Sequence, residues 1–188
     1  MTNLIPPHGG YRKLKSYQTA EIVFDLTAEF CNSYLSDKTN KTYRSYRTYD
    51  QMIQAARSGK QNIAEGSQAS GTSKKTELKL VNVARASLEE LLIDFQDFLR
   101  LNGLKLWTKD DSRVAEIRQL AYKSNRSYKT YAGFLGESPE IAANCAICLI
   151  HQTNFLLDQQ LRALEKDFLE NGGFTERLYR LRKEFRNR

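Results

Sequence analysis

The sequence predicts an all-α protein, an up-and-down antiparallel four-helix bundle with extra C-terminal helices. Three observations predict it. Prolines occur only at Pro6, Pro7 and Pro139, so His8 to Ser138 holds no residue that breaks a helix. Apolar residues recur at helical spacing over long stretches instead of alternating. A sandwich or barrel would need more turn residues than this stretch offers.

The first predicted helix covers Leu14 to Leu35, where Tyr17, Ala20, Phe24, Ala28, Cys31 and Leu35 form one stripe. Val23, Leu26 and Phe30 widen that stripe, which calls for neighbours on more than one side. Ser36 to Thr42 is polar and reads as a turn. A second helix from about Tyr43 carries Tyr46, Tyr49, Ile53, Ala56 and Ile63, and Gly66 to Ser73 reads as the loop that ends it.

Ser73 is the predicted N-cap of the third helix, with Glu77 in its first turn. Leu78, Val81, Leu88, Leu91, Leu92, Phe95 and Phe98 give it a broad apolar face until Asn102-Gly103 stops it. Leu104 to Trp107 is a short apolar connector. Asp110, Asp111 and Ser112 offer caps for a weaker helix using Val114, Ile117, Leu120, Ala121 and Tyr128, which Gly133 and Gly136 interrupt. Ser138-Pro139-Glu140 is a strong restart, with a cap, a proline at the first helical position and an acid behind it. The helix it opens meets no breaker until Asn171-Gly172-Gly173. Thr175 to about Arg186 forms a last, basic helix with Leu178, Leu181 and Phe185 on one side.

With 188 residues the chain has material for one core. Residues 1–107 supply the first three helices and 108–137 a weaker helix and connector. Residues 138–188 supply a long helix and the basic terminal helix, packed on the same domain. Either 112–131 or 139–170 can serve as the fourth helix of the bundle.

The formal charge is +7, and the excess is shared evenly, with 15 basic and 11 acidic residues in 1–107 against 14 and 11 in 108–188. Met1 to Gly10 has no basic stretch followed by an apolar run, and no window approaches the roughly 18 apolar residues of a membrane span. No signal peptide and no membrane association are therefore expected. Three cysteines, Cys31, Cys145 and Cys148, fit a reducing interior better than a disulfide framework. The expected location is cytoplasmic.

Enzymatic readings find little support. His8 and His151 are the two histidines, and neither sits in an acid–base constellation. A carboxylate-bridged metal centre would need paired Glu-x-x-His motifs, whereas Cys148 stands three before His151. Cys145, Cys148 and His151 recur every three residues, but a closed zinc site draws four ligands from more than one segment. Gly66 to Ser73 falls short of a phosphate-binding loop because Thr72 stands where the lysine belongs. No catalytic residue, cofactor or metal is expected.

Nucleic-acid chemistry is better represented. Free backbone N–H groups at the start of the third helix, beside Lys74 and Lys75, suit a phosphate; a solvated cap is the plainer alternative. Tyr43-Arg44-Ser45-Tyr46-Arg47-Thr48-Tyr49 interleaves cations with aromatics, although Tyr43, Tyr46 and Tyr49 share a helix side and equally suit a core. The tail adds Arg177, Arg180, Arg182, Lys183 and Arg186 together with Tyr179 and Phe185. Arginines can follow phosphates there while tyrosines stack on unpaired bases.

Asn62-Ile63-Ala64-Glu65-Gly66, Ser73-Lys74-Lys75-Thr76-Glu77-Leu78 and Ala84-Arg85-Ala86-Ser87-Leu88-Glu89-Glu90-Leu91 form a recognisable signature. It resembles the four-helix bundle family of 23S ribosomal RNA intervening-sequence proteins, the S23 type. The accessory variability determinant of diversity-generating retroelements is a relative of that family. The resemblance covers about Tyr11 to Leu104, and Cys148 to Gly173 is similar to a C-terminal suffix on some members. It implies an up-and-down bundle, often a homopentamer, with nucleic-acid binding through a basic surface in the retroelement relatives, and it makes RNA or DNA and a reverse transcriptase the candidate partners. It implies no catalytic residue.

The signature itself reads as structural. Asn62 and Glu65 sit where one helix ends and are expected to satisfy loop and helix-terminal backbone groups. Ala84, Ala86 and Ser87 are small enough for close helix approach. Arg85 is too far along the returning helix to meet Glu65. The alternative to a nucleic-acid-binding bundle is a protein-interaction or scaffold module whose charge serves solubility or an acidic partner.

Overall fold

A computed structural model describes residues 4–35 and 43–187, apart from the side chains of 43–46. Every regular element among the described residues is helical. Helix α1 spans Lys15–Phe30 and runs into a π turn at Cys31–Leu35. Helices α2 and α3 span Tyr43–Ala69 and Lys74–Leu101. They are followed by α4 at Ser112–Leu120, α5 at Ala132–Glu137, α6 at Pro139–Asn171 and α7 at Phe174–Arg186.

The four long helices form a closed set of contacts. Helix α2 packs against α1 and α3, and α6 packs against α3 and α1. Side-chain pairs fix how they run. Tyr49 of α2 donates to Asn32 beyond α1 (2.8 Å), and Ser58 of α2 bonds Ser87 of α3 (3.0 Å). Between α3 and α6, Lys74 meets Asp167 at 3.0 Å and Arg85 meets Asp158 at 2.6 Å. Ser16, early in α1, donates to Gln160, late in α6, at 2.7 Å. Lys74 with Asp167 and Ser16 with Gln160 each join a residue early in one helix to a residue late in the other.

The core lies between these helices. Phe30 is fully buried at its centre, edge-on to Phe95 and Phe98 with both ring centroids 4.9 Å away. Pro139–Asn171, not 112–131, supplies the fourth long helix. The shorter segment yields only the nine residues of α4, which lie on α6.

Three boundaries differ from the sequence expectation. Helix α2 continues through Gly66 to Ala69, where a loop was expected. That glycine is buried against α3, where a Cβ would meet the Glu77 carbonyl oxygen and the Leu80 Cβ at an ordinary 3.4 Å. Helix α4 stops at Leu120 and does not reach Tyr128, because the chain turns through Asn125, whose φ is 60°. Gly133 and Gly136 lie inside α5 and do not interrupt it. Buried Tyr131 and Leu135 anchor that short helix against α6, and tertiary packing outweighs the low helix propensity of glycine.

The remaining ends follow the expected chemistry. Ser73 Oγ accepts from the Thr76 N–H at 3.1 Å, and Ser138 Oγ accepts from the Ile141 N–H at 3.2 Å. Gly103 and Gly172, at φ 65° and 71°, end α3 and α6 in a conformation that other residues rarely adopt.

Candidate nucleic-acid interface

Helix α7 is amphipathic and lies largely outside the core. Phe174, Leu178 and Leu181 are half-buried, whereas Phe185 is 81% exposed, and α7 has no fully buried residue. On another face, Tyr179, Arg182, Lys183 and Arg186 follow i, i+3, i+4, i+7 spacing and so share one side of the helix. With Asn187 they line a concavity of about 510 Å³, and no Asp or Glu among the described residues lines it. Among the described residues, no ion pair engages Arg182, Lys183 or Arg186.

Three of the predicted cations converge from separate parts of the chain. Lys74, Arg177 and Arg180 line one cleft of about 380 Å³ where the starts of α3 and α7 meet the end of α6. This cleft already holds an anion. Asp167 lies 3.0 Å from Lys74, and hydrogen bonds from Asn171 and Lys74 hold its carboxyl below the usual range. Glu77 sits 3.7 Å from the same ammonium, its pKa raised by burial. The two carboxylates fill the role that a phosphate would have at the α3 N-terminus. Arg180 donates to the Asn171 carbonyl at 3.3 Å, and Lys75 is exposed.

The remaining predicted cations lie elsewhere. Arg47 is exposed on the first turns of α2, roughly 33 Å along that helix from Ala69 at 1.5 Å per residue. The side chains of Tyr43, Arg44 and Tyr46 lie outside the described residues. Tyr49 is half-buried against the core.

The signature residues hold the helices in place. Asn62 and Glu65 do not cap a helix end, because α2 runs past both. Asn62 donates to the Ser58 carbonyl (2.9 Å) and to Ser58 Oγ (3.1 Å), and Ser58 Oγ in turn bonds Ser87. Asn62, Glu65 and Ser87 share a polar groove of about 420 Å³ between α2 and α3. Ala84 is buried as expected, whereas Ala86 is exposed and takes no part in the approach. Arg85 turns to the other flank of α3, where Asp158 lies at 2.6 Å and Glu89 at 3.9 Å.

Cys145 is buried, Cys148 half-buried and His151 exposed. Burial pushes the Cys148 thiol up to about 11 and the Cys31 thiol to about 12, which disfavours the thiolates that bind metals. No group of three or more metal-ligating side chains occurs among the described residues.

Sequence reasoning missed one concentration of charge. Lys109 in the connector before α4, Arg118 on α4, and Lys123 and Arg126 in the turn after it line the two grooves that Tyr122 borders, the second of which also holds Glu21 and Asp25. The signal available in the sequence was an aromatic among cations, Tyr122 between Arg118 and Lys123, in a segment read only for its weak apolar stripe.

Comparison with protein-family models, with curated proteins and with solved structures finds no match to this chain.

Proposed function

We propose that this chain is a non-enzymatic nucleic-acid-binding accessory protein, an up-and-down antiparallel four-helix bundle with added C-terminal helices. It engages RNA or DNA through backbone phosphates. The observation that carries the reading is the α7 face of Tyr179, Arg182, Lys183 and Arg186, a concavity that combines cations with a stacking ring and that no Asp or Glu among the described residues lines. Arg177, Arg180 and Lys75 extend the cationic surface toward the start of α3, where Lys74 is already paired with Asp167, and Arg47 stands exposed at the far end of α2. The resemblance of Asn62–Gly66 and Ala84–Leu91 to the S23-type family supports the same reading, along with a homo-oligomer, in some relatives a pentamer, and a cytoplasmic location. No helix among the described residues is long and apolar enough to cross a membrane.

The test is a titration of labelled RNA with the full chain at two salt concentrations. Each neutralised phosphate releases counterions, so the affinity should fall steeply as salt rises. Binding absent at low salt, or indifferent to salt, would remove the proposal. A protein-interaction role draws on a different observation, the exposed Phe168, Leu169 and Phe185 beside the basic face. An acidic partner protein retained where RNA is not would favour it.

A further inference from the structure

The connector before α4 is pinned from three sides. The Trp107 N–H donates to Asn144 Oδ1 at 2.9 Å, and its indole Nε1 donates to Glu140 Oε1 at 3.2 Å. The Arg113 guanidinium stacks over the indole ring at 3.8 Å. These contacts fix the floor of a groove of about 590 Å³ between the connector, α3, α4 and α6. Leu106, Ile147, Val114 and Phe155 give it apolar walls, and Lys109 and Arg118 stand at its rim.

Two features are unusual for a soluble surface. Tyr122 is 89% exposed and Phe155 is 61% exposed, so two aromatic rings border the groove with little cover. No carboxylate lines it. Asp111 is held by Arg113 through bonds of 3.0 and 2.8 Å and Glu140 by the Trp107 indole, and among the described residues no ion pair engages Lys109 or Arg118. Tyr122 also borders the neighbouring groove, where Arg126 is held by Thr19 at 3.3 Å and by Gln152 at 3.4 Å. That neighbouring groove also carries the carboxylates of Glu21 and Asp25, so the anion-accepting side of the ring is the one with Lys109 and Arg118. An uncovered ring beside those cations matches the chemistry of an unpaired nucleotide, which has an aromatic face and an anionic phosphate.

We propose that the groove bordered by Tyr122 and Phe155 receives an unpaired base of a single-stranded nucleic acid, with the adjoining phosphates on Lys109 and Arg118. This rests on the nucleic-acid reading above and gives it a second contact surface, separate from α7. The strand is read as single because a base inside a duplex has no free face to stack.

Trp107 is the chain's one tryptophan and lines the groove, so its emission reports occupancy directly. The experiment titrates the full chain with oligouridylate of about twelve nucleotides, a length that spans typical single-strand sites. Wild type is expected to bind with quenching of Trp107. Tyr122→Ala with Phe155→Ala should weaken binding about fivefold or more and abolish the quench. Tyr122→Phe should retain both, whereas Tyr122→Leu, which keeps bulk without a ring, should not. Arg118→Gln should make the salt dependence shallower by the contribution of about one phosphate. Tyr122 and Phe155 are exposed, and an unchanged circular dichroism spectrum confirms that the variants fold.

Unchanged affinity and quenching in the double variant, with loss in Arg182→Gln, Lys183→Gln, Arg186→Gln, would overturn this groove and leave the nucleic-acid reading standing. Absence of oligouridylate binding at low salt would overturn both. Quenching by an acidic amphipathic peptide but not by the oligonucleotide would assign the groove to a protein partner and overturn the proposal.

Discussion

The α2–α3 seam and the outer surface formed by α4 and α7 use their residues in opposite ways. At the seam, Gly59 and Gly66 lie seven residues apart on one face of α2 and admit α3 close to its backbone; a Cβ on Gly59 would stand 2.8 Å from Leu88 Cγ. The polar groups there bond one another, as Ser58 does with Ser87 and Asn62. On the outer surface, Arg118, Arg182, Lys183 and Arg186 make no ion pair among the described residues, and Tyr122 and Phe185 are uncovered. The seam spends its chemistry on the fold, while the outer surface leaves its chemistry available to a partner. Substitutions in the first should therefore change stability, and substitutions in the second should change binding.

The largest stability effect is expected at Leu88, fully buried against Gly59. Leu88→Ala should destabilise by about 2–5 kcal/mol in urea unfolding, because the cavity adds to the lost transfer energy. The two glycines sharpen the comparison. Gly59→Ala should cost about 1–2 kcal/mol, since overpacking against Leu88 exceeds the helix-propensity gain. Gly66→Ala meets its nearest atoms at 3.4 Å and should be neutral or gain up to about 1 kcal/mol. Equal effects at both positions would mean that the close approach does not set the seam.

Asp94, also on α3, tests electrostatics within the packed region. Its pKa is raised chiefly by burial, then by Glu90 and Asp97, and its Oδ2 is buried without a hydrogen-bond partner. A raised carboxyl pKa means that the folded state holds the proton more tightly. The resulting stability is complete below the unfolded pKa, about 4, and is lost as pH rises through the folded value. Asp94→Asn should therefore be more stable than wild type at neutral pH, and the difference should shrink on acidification. Urea midpoints at both pH values check this, and a constant difference would contradict it. The smallest stability effect is expected on α7, where Arg182→Gln, Lys183→Gln, Arg186→Gln should stay within about 0.5 kcal/mol of wild type. The same variant should bind RNA with a shallower salt dependence.

The helices were legible because their signals are local. Apolar stripes at helical spacing placed α1, α2 and α3, while the Ser138-Pro139-Glu140 start and the lack of a breaker before Asn171-Gly172-Gly173 placed α6; Ser73 and Asn102-Gly103 marked the ends of α3. Gly66 misled because a glycine at a loop and a glycine beneath a neighbouring helix look alike in one dimension; the seven-residue spacing from Gly59 was the available clue. Asn62 was assigned to a helix end for the same reason. The tail was readable as a basic surface because a short amphipathic helix cannot bury so many cations. Lys74 could not be read correctly, since its partner Asp167 lies far along the chain and only tertiary packing joins them. The groove around Tyr122 was hidden for a similar reason, as its walls come from four separate segments.

The most direct test of the division between seam and outer surface is photo-cross-linking of the full chain to 4-thiouridine RNA, followed by mapping of the linked peptides. Cross-links are expected at the α4 segment with its following turn, at Phe155 and along α7, and not at Ser58, Asn62 or Ser87. Cross-links concentrated on the polar groove between α2 and α3 would contradict the account and make the signature residues the binding site.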